Sequence, residues 1–232
     1  MKIGEAIQEV LTLYNKGAGS DDSRLPPRYV YNVLRGLRNM LLSEKVRKRY
    51  KISQWNYQTL PCVELVKAHP SECPCIPPVG CEILKTKYPI PKLLTSYDAH
   101  MMQSVTTLDG ETIFDEISWK DKKNKKGSKY TANKPDYFWR MDHLFITHKS
   151  KIKSITMIGL FEDPVEVEKF PSFCPCVDCE DCDDIFDKEF PFDEDAMPRL
   201  ISMAVEKILP SFNQAIEDTT NDGRDTPVEQ SK

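Results

Sequence analysis

At 232 residues and 40% hydrophobic content the chain is long enough to bury its own core, and 17 prolines against 9 glycines describe stiff connections, not general disorder. No apolar run approaches the roughly 20 residues that cross a bilayer, and Met1 to Tyr14 interleaves Lys2, Glu5 and Glu9 with apolar residues; neither a membrane span nor a secretion signal is expected, and folding in a reducing cytoplasm is. The formal net charge of −4 conceals +6 over residues 1–60, +4 over 61–160 and −14 over 161–232, a polarity that suits copies meeting basic face against acidic face.

Ile3, Ile7, Val10, Leu11 and Tyr14 recur at helical spacing, and Gly17 and Gly19 follow where the helix, ending near Lys16, should stop. Pro26-Pro27 suits the start of a second helix, whose buried stripe is Val30, Val33, Leu34, Leu37 and Leu41, with Arg28, Arg35 and Arg38 off that stripe. The two make a helical hairpin, taken as residues 1–54. From Trp55 the texture changes to short runs bounded by Pro and Gly. Leu60–Val66, Glu82–Tyr88, Met101–Leu108, Thr112–Trp119, Tyr137–Thr147 and Ile152–Phe161 read as strands. Asp109-Gly110 marks a two-residue hairpin turn and His148–Lys151 a longer one.

Residues 55–192 therefore read as a mostly antiparallel β-sandwich or barrel carrying two special loops. One is the basic Lys120–Lys129; the other is the cysteine-rich acidic run near 174–195. Met197–Phe212 regains helical spacing through Leu200, Ile201, Ala204 and Ile208, within a closing segment, 193–218, that returns to pack on the hairpin. Residues 219–232 lack an apolar pattern and read as a flexible tail. The fold class is α+β: an N-terminal helical hairpin and a C-terminal helix forming a bundle, with the β-domain inserted between them.

Eight cysteines concentrate in two places. Cys174, Cys176, Cys179 and Cys182 lie within nine residues, and Cys73 and Cys75 form a second C-P-C flanked by Cys62 and Cys81. Thiolates are soft donors, and four of them close a tetrahedral structural zinc site. In C-x-C-x2-C-x2-C the gaps overlap, so two ligands from the later cluster and two from Cys73, Cys75 or Cys81 make the better set. Against that stands the plainer reading of reduced or loosely paired loop cysteines, since no full C-x2-C pair recurs elsewhere. Free or metal-bound thiols rank ahead of disulfides.

The acidic run lacks the central glycine and closing glutamate of an EF-hand, and the six lysines of 120–129 lack interleaved aromatics or a base-reading motif. His69, His100, His143 and His148 show no metalloprotease spacing, and no phosphate loop or nucleophile elbow is present. No enzymatic activity is expected, and no cofactor is required for folding.

The S-D-D-S-R-L-P-P-R-Y-V turn before the long helix, the C-V-E-L strand, the G-C-E-I-L-K-T-K-Y-P-I-P-K stretch and the I-G-L-F-E-D-P run at Ile158–Pro164 resemble the head-to-tail ring proteins of crAss-like bacteriophages. The resemblance spreads over most of residues 1–212 and carries no catalytic motif. It implies a virion structural protein of the neck, assembled in the host cytoplasm. Many copies, twelve by this analogy, would ring the DNA channel beneath the portal for genome retention and ejection. The implied partners are the chain itself, the portal protein, adjacent ring or tail proteins, and double-stranded DNA passing without sequence-specific contact; no membrane is involved. A cysteine-rich, zinc-stabilised binding module and a nucleic-acid-binding regulatory protein stand as alternatives.

Overall fold

The computed structural model describes residues 1–15, 25–69, 83–96, 99–118, 134–147, 152–171 and 185–213. Helix α1 (Ile3–Tyr14) buries Ile3, Ala6, Ile7, Val10 and Leu11 on one face. The Lys2 amide at its start donates to Glu5 Oε2 at 2.8 Å. Helix α2 (Pro27–Arg47) begins on proline, whose missing N–H has no helical partner to lose, and ends with Lys45 and Arg47 at the negative end of its dipole. Both helices pack on the last helix of the described chain, Met197–Asn213, and the three share one apolar core through Leu34, Leu42, Leu200, Ala204 and Ile208. The closing helix thus returns to the hairpin, as its spacing predicts.

Between the helical ends the described residues form nine strands: β1 (Gln58–Lys67), β2 (Ile83–Thr86), β3 (Thr95–Ser96), β4 (Ala99–His100), β5 (Met102–Thr107), β6 (Asp115–Glu116), β7 (Asp136–Arg140), β8 (His143–Thr147) and β9 (Ser154–Gly159). Seven form one sheet in the order β5-β9-β1-β2-β8-β7-β6, with β6–β7 its one parallel pair, while β3 and β4 make a separate small hairpin. A bridge between Thr106 and Ile113 brings the two sheet edges together, so the sheet is a nearly closed barrel. Val63, Val105, Leu144, Ile146, Ile155 and Met157 are fully buried in its core. The fold is therefore α+β with helices at both ends and a central barrel.

Several strand expectations need correction. Tyr137–Thr147 is not one strand but the β7–β8 hairpin, turned at Met141-Asp142 with Met141 at φ 53°. Neither turn residue is glycine, proline or asparagine, so the break has no strong local signal, while Phe138 stacking on Phe145 at 5.3 Å holds the arms together. Asp109-Gly110 does turn the chain, but only Gly110 has positive φ (72°), and the Thr107 amide donates to the Thr112 carbonyl across a four-residue loop. Of the expected strand Thr112–Trp119, the described residues 112–118 hold β6 and the Ile113 bridge. β8 and β9 do not pair, because β9 inserts between β1 and β5 on the other side of the barrel.

Helix and barrel share a floor made by neighbouring residues that point opposite ways. Leu94 and Leu160 enter the helical core, while Leu93 and Phe161 enter the barrel core, the period-two alternation of extended chain. Backbone bonds tie these pieces, Leu94 to Leu160 at 2.8 Å and Leu160 to Met101 at 2.9 Å. Gly159 lies close beneath Leu93: a Cβ there would sit 2.8 Å from Leu93 Cδ2 and 3.3 Å from the Met101 carbonyl oxygen, so a larger residue would have to displace the Leu93 side chain.

A candidate interface at the seam of bundle and barrel

The most heavily bonded polar group of the seam is Arg38, at 0% exposure. Its Nε donates to the Pro191 carbonyl at 2.8 Å, Nη1 to the Phe161 carbonyl at 2.9 Å and Nη2 to the Asn56 carbonyl at 3.3 Å. One guanidinium thus satisfies backbone acceptors from three segments distant in sequence, a task suited to its rigid fork of donors. Burial lowers its pKa to about 10, against support from Tyr31 and Asp163, so it remains charged at neutral pH.

One turn away, the Tyr31 hydroxyl donates to Asp163 Oδ1 at 2.6 Å and Arg35 pairs with Oδ2. Asp163 also caps helix α3 (Pro164–Glu168), accepting from the Val165 amide at 3.0 Å. Burial pushes this carboxyl up, but the hydrogen bonds from Tyr31, Val165 and Arg35, with the Arg35 charge, outweigh it and hold the pKa below its ordinary value. Burial first, then the bond to Asp163, raises the Tyr31 phenol. Asp193 repeats the pattern with Lys45 at 2.6 Å and Asn56 at 2.8 Å; burial opposes ionisation, and those bonds prevail.

Beside this network lies an open groove of about 1170 Å³, between residues 45–59 and 188–196. Phe190 and Phe192 lie buried along it, Trp55 stands 69% exposed on its wall, and nearby in sequence Tyr50 is 64% exposed. An exposed Trp on the wall of a concave surface is the residue type that anchors protein partners. The rim mixes Lys51 and Lys188 with Glu168, Glu189 and Asp195, so neither a phosphate backbone nor a cation is specifically favoured.

The sequence-predicted sites fare unequally. Cys73, Cys75, Cys174, Cys176, Cys179 and Cys182 lie outside the described residues, as do Cys81, the Lys120–Lys129 loop, His148–Lys151 and the 219–232 tail. Cys62 is described and is disulfide-bonded, so at this position the structure contains the bridge that ranked behind free or metal-bound thiols. It occupies a bulge of β1 at φ 52°. Among the described residues no group of three or more His, Cys, Asp or Glu could hold a metal, and no helix is long and apolar enough to cross a membrane.

The charge asymmetry is partly neutralised within one chain. Besides Lys45–Asp193, Lys2 reaches Asp187 at 3.3 Å, and the Met1 amino group reaches Glu194 at 3.6 Å. Arg35 and Arg38, expected off the buried stripe, are respectively half-buried in an ion pair and fully buried. The signal missed was spacing: Arg38 stands midway between Leu34 and Leu42 at i±4, on the core-facing side. Asp163 does carry a local signal, an N-cap aspartate before Pro164, but its side-chain partners Tyr31 and Arg35, like the Asp193 partners Lys45 and Asn56, lie more than a hundred residues away in sequence.

No curated protein matches the chain. It does match the family CrAss_Ring_2, described as phage tail ring protein 2, over residues 5–226. That span takes in the helical bundle, the Arg38 seam and the whole barrel. The chain belongs to the phage tail ring protein 2 family of crAss-like phages, and is a virion structural protein that assembles as a ring.

Proposed function

We propose that this ring sits at the portal vertex, joins head to tail and continues the DNA channel through which the genome is retained and ejected. Twelve copies surround the channel, the portal protein lies on one side, and adjacent ring or tail proteins lie on the other. Duplex DNA passes the lumen without sequence-specific contact, and the protein carries out no catalysis and requires no cofactor.

The observation that supports this reading is the coupling of two separately cored parts by a buried polar seam. A bundle built from both chain ends offers one rigid surface along the ring axis and the barrel offers another, while Arg38 fixes their relative position. The groove beside Trp55 then offers an anchor for a protein partner above or below the ring.

Electron microscopy of the intact particle tests the proposal. The expected result is twelvefold density for this chain between portal and tail, surrounding the channel. Density at the distal tail, away from the DNA path, would overturn it. Metal analysis of the purified protein tests the second reading, a zinc held by the cysteine clusters: near-stoichiometric zinc with unfolding by chelator supports it, and metal-free folded protein removes it.

A further inference from the structure

A ring of identical chains needs two different surfaces on each copy, one donating and one receiving, so that the contact closes by rotation. The inference below rests on ring formation alone and is independent of where in the virion the ring sits. Two outward helix faces meet the requirement. On α2, Tyr29, Asn32, Gly36, Met40 and Arg47 are all exposed and fall within about 40° of one line at 3.6 residues per turn. Tyr29 and Met40 are large apolar side chains left 38% and 49% exposed. Gly36 is central: a Cβ there would meet nothing within 4 Å among the described residues, so no described contact calls for a glycine in the middle of a 21-residue helix, where it weakens the helix relative to alanine. A glycine flanked by Met and Tyr makes a shallow seat into which another helix can settle closely.

The complementary surface is the outer face of α1. Glu5, Glu9 and Leu13 recur there every four residues, all exposed, with Leu13 at 51%. This i, i+4, i+8 ridge is the kind that packs into the i±4 groove of a second helix. Its charge is opposite to that of the receiving helix, where Arg28 and Arg47 are exposed without an ion pair among the described residues. The spacings also agree: Glu5 to Leu13 covers eight residues, as does Arg28 to Gly36, so Leu13 seated over Gly36 in a parallel crossing puts the glutamates toward Arg28. Both helices pack inward on the closing helix, so their outer faces belong to different sides of the bundle, as a closing, non-twofold contact requires.

We propose that copies associate by seating the Glu5–Glu9–Leu13 ridge of one chain against the Tyr29–Gly36–Met40 face of a second copy. This places the inter-copy contact on the N-terminal hairpin, leaving the Trp55 groove free for other neck components.

Mass photometry and native mass spectrometry on the full-length chain test it with two variants. Gly36→Leu fills the seat, and because no described residue adjoins that Cβ the variant should keep or raise its melting temperature while losing rings. Leu13→Asp disables the ridge. Each variant alone is expected to remain monomeric, and mixing them is expected to give a heterodimer through the one intact pairing, the Gly36→Leu ridge on the Leu13→Asp seat. Full ring formation by Gly36→Leu, or failure of the folded variants to pair on mixing, would overturn the proposal. Loss of assembly with Gly36→Leu but not with Leu13→Asp would replace it with a twofold α2–α2 contact. A wild-type chain that stays monomeric at every concentration overturns it as well, whereas rings that form but map elsewhere in the particle count only against the neck position.

Discussion

The helical bundle and the barrel are held by different means, and the contrast explains what each contributes. In the bundle every described helix follows one apolar stripe and the core is continuous from Ile3 to Ile208. In the barrel the strands are short, two residues with side chains adopt positive φ (Cys62 and Met141), and the buried Trp139 Nε1 and His100 Nδ1 have no hydrogen-bond partner among the described residues. Regular packing gives the bundle a rigid shape, while the barrel tolerates irregularity at its strand ends, where connections vary in length. The seam between them is neither: it is a polar network in which a few side chains decide whether two cores behave as one.

The sharpest way to break that coupling is Arg38→Met. It leaves the Pro191, Phe161 and Asn56 carbonyls buried without their donor, a loss of about 4 kcal/mol. Denaturation followed by near- and far-ultraviolet circular dichroism should then resolve separate bundle and barrel transitions where the parent shows one. A single transition at unchanged denaturant midpoint would mean that Arg38 does not couple the cores. Next in size are cavity mutations on either side: Leu34→Ala in the bundle and Leu144→Ala in the barrel, both at 0% exposure, should each cost about 3 kcal/mol. With the seam intact both should lower the same transition, and in the Arg38→Met background each should lower only its own.

Asp163→Asn is expected to cost about 2 kcal/mol at neutral pH by weakening the bonds from Tyr31 and Arg35. Its pH dependence gives an independent reading. Because the folded carboxyl titrates below the ordinary value of 3.8, its stabilisation is present above that value and is lost as pH falls through it toward the lower folded value. Asp193 acts in the same sense. Acid unfolding of Asp163→Asn should therefore be shallower than that of the parent below pH 3.8, and identical slopes would show that the network carries no linkage. The smallest effect is expected at the barrel rim, where Gly110→Ala, forced into φ 72°, should cost about 1 kcal/mol without altering the seam.

What the residues reveal on their own follows the range of the interaction. The three bundle helices were legible, since a stripe such as Ile3, Ile7, Val10, Leu11 is a property of neighbours along one helix, whereas the short helix Pro164–Glu168 was not. The longer strands were legible too, from Leu60, Val63, Leu65 and from Ile155 and Met157, but the β3–β4 hairpin, the β7–β8 break and the partnership of β9 were not. The polar seam was missed: Arg38, expected off the buried stripe, sits at core-facing spacing in α2, and its acceptors are main-chain carbonyls brought near only by the completed fold.

Sequence by itself determined the α+β class, the return of the closing helix and the apolar sides of each helix, because hydrophobic periodicity is local and burial follows it directly. Only the tertiary structure decided that β9 enters between β1 and β5 and that Arg38 is the charge buried between two cores. Each of those outcomes depends on hydrogen bonds across long sequence separations. Such bonds form only when the whole chain is closed around them, and their geometry leaves no periodic trace in the residues that make them.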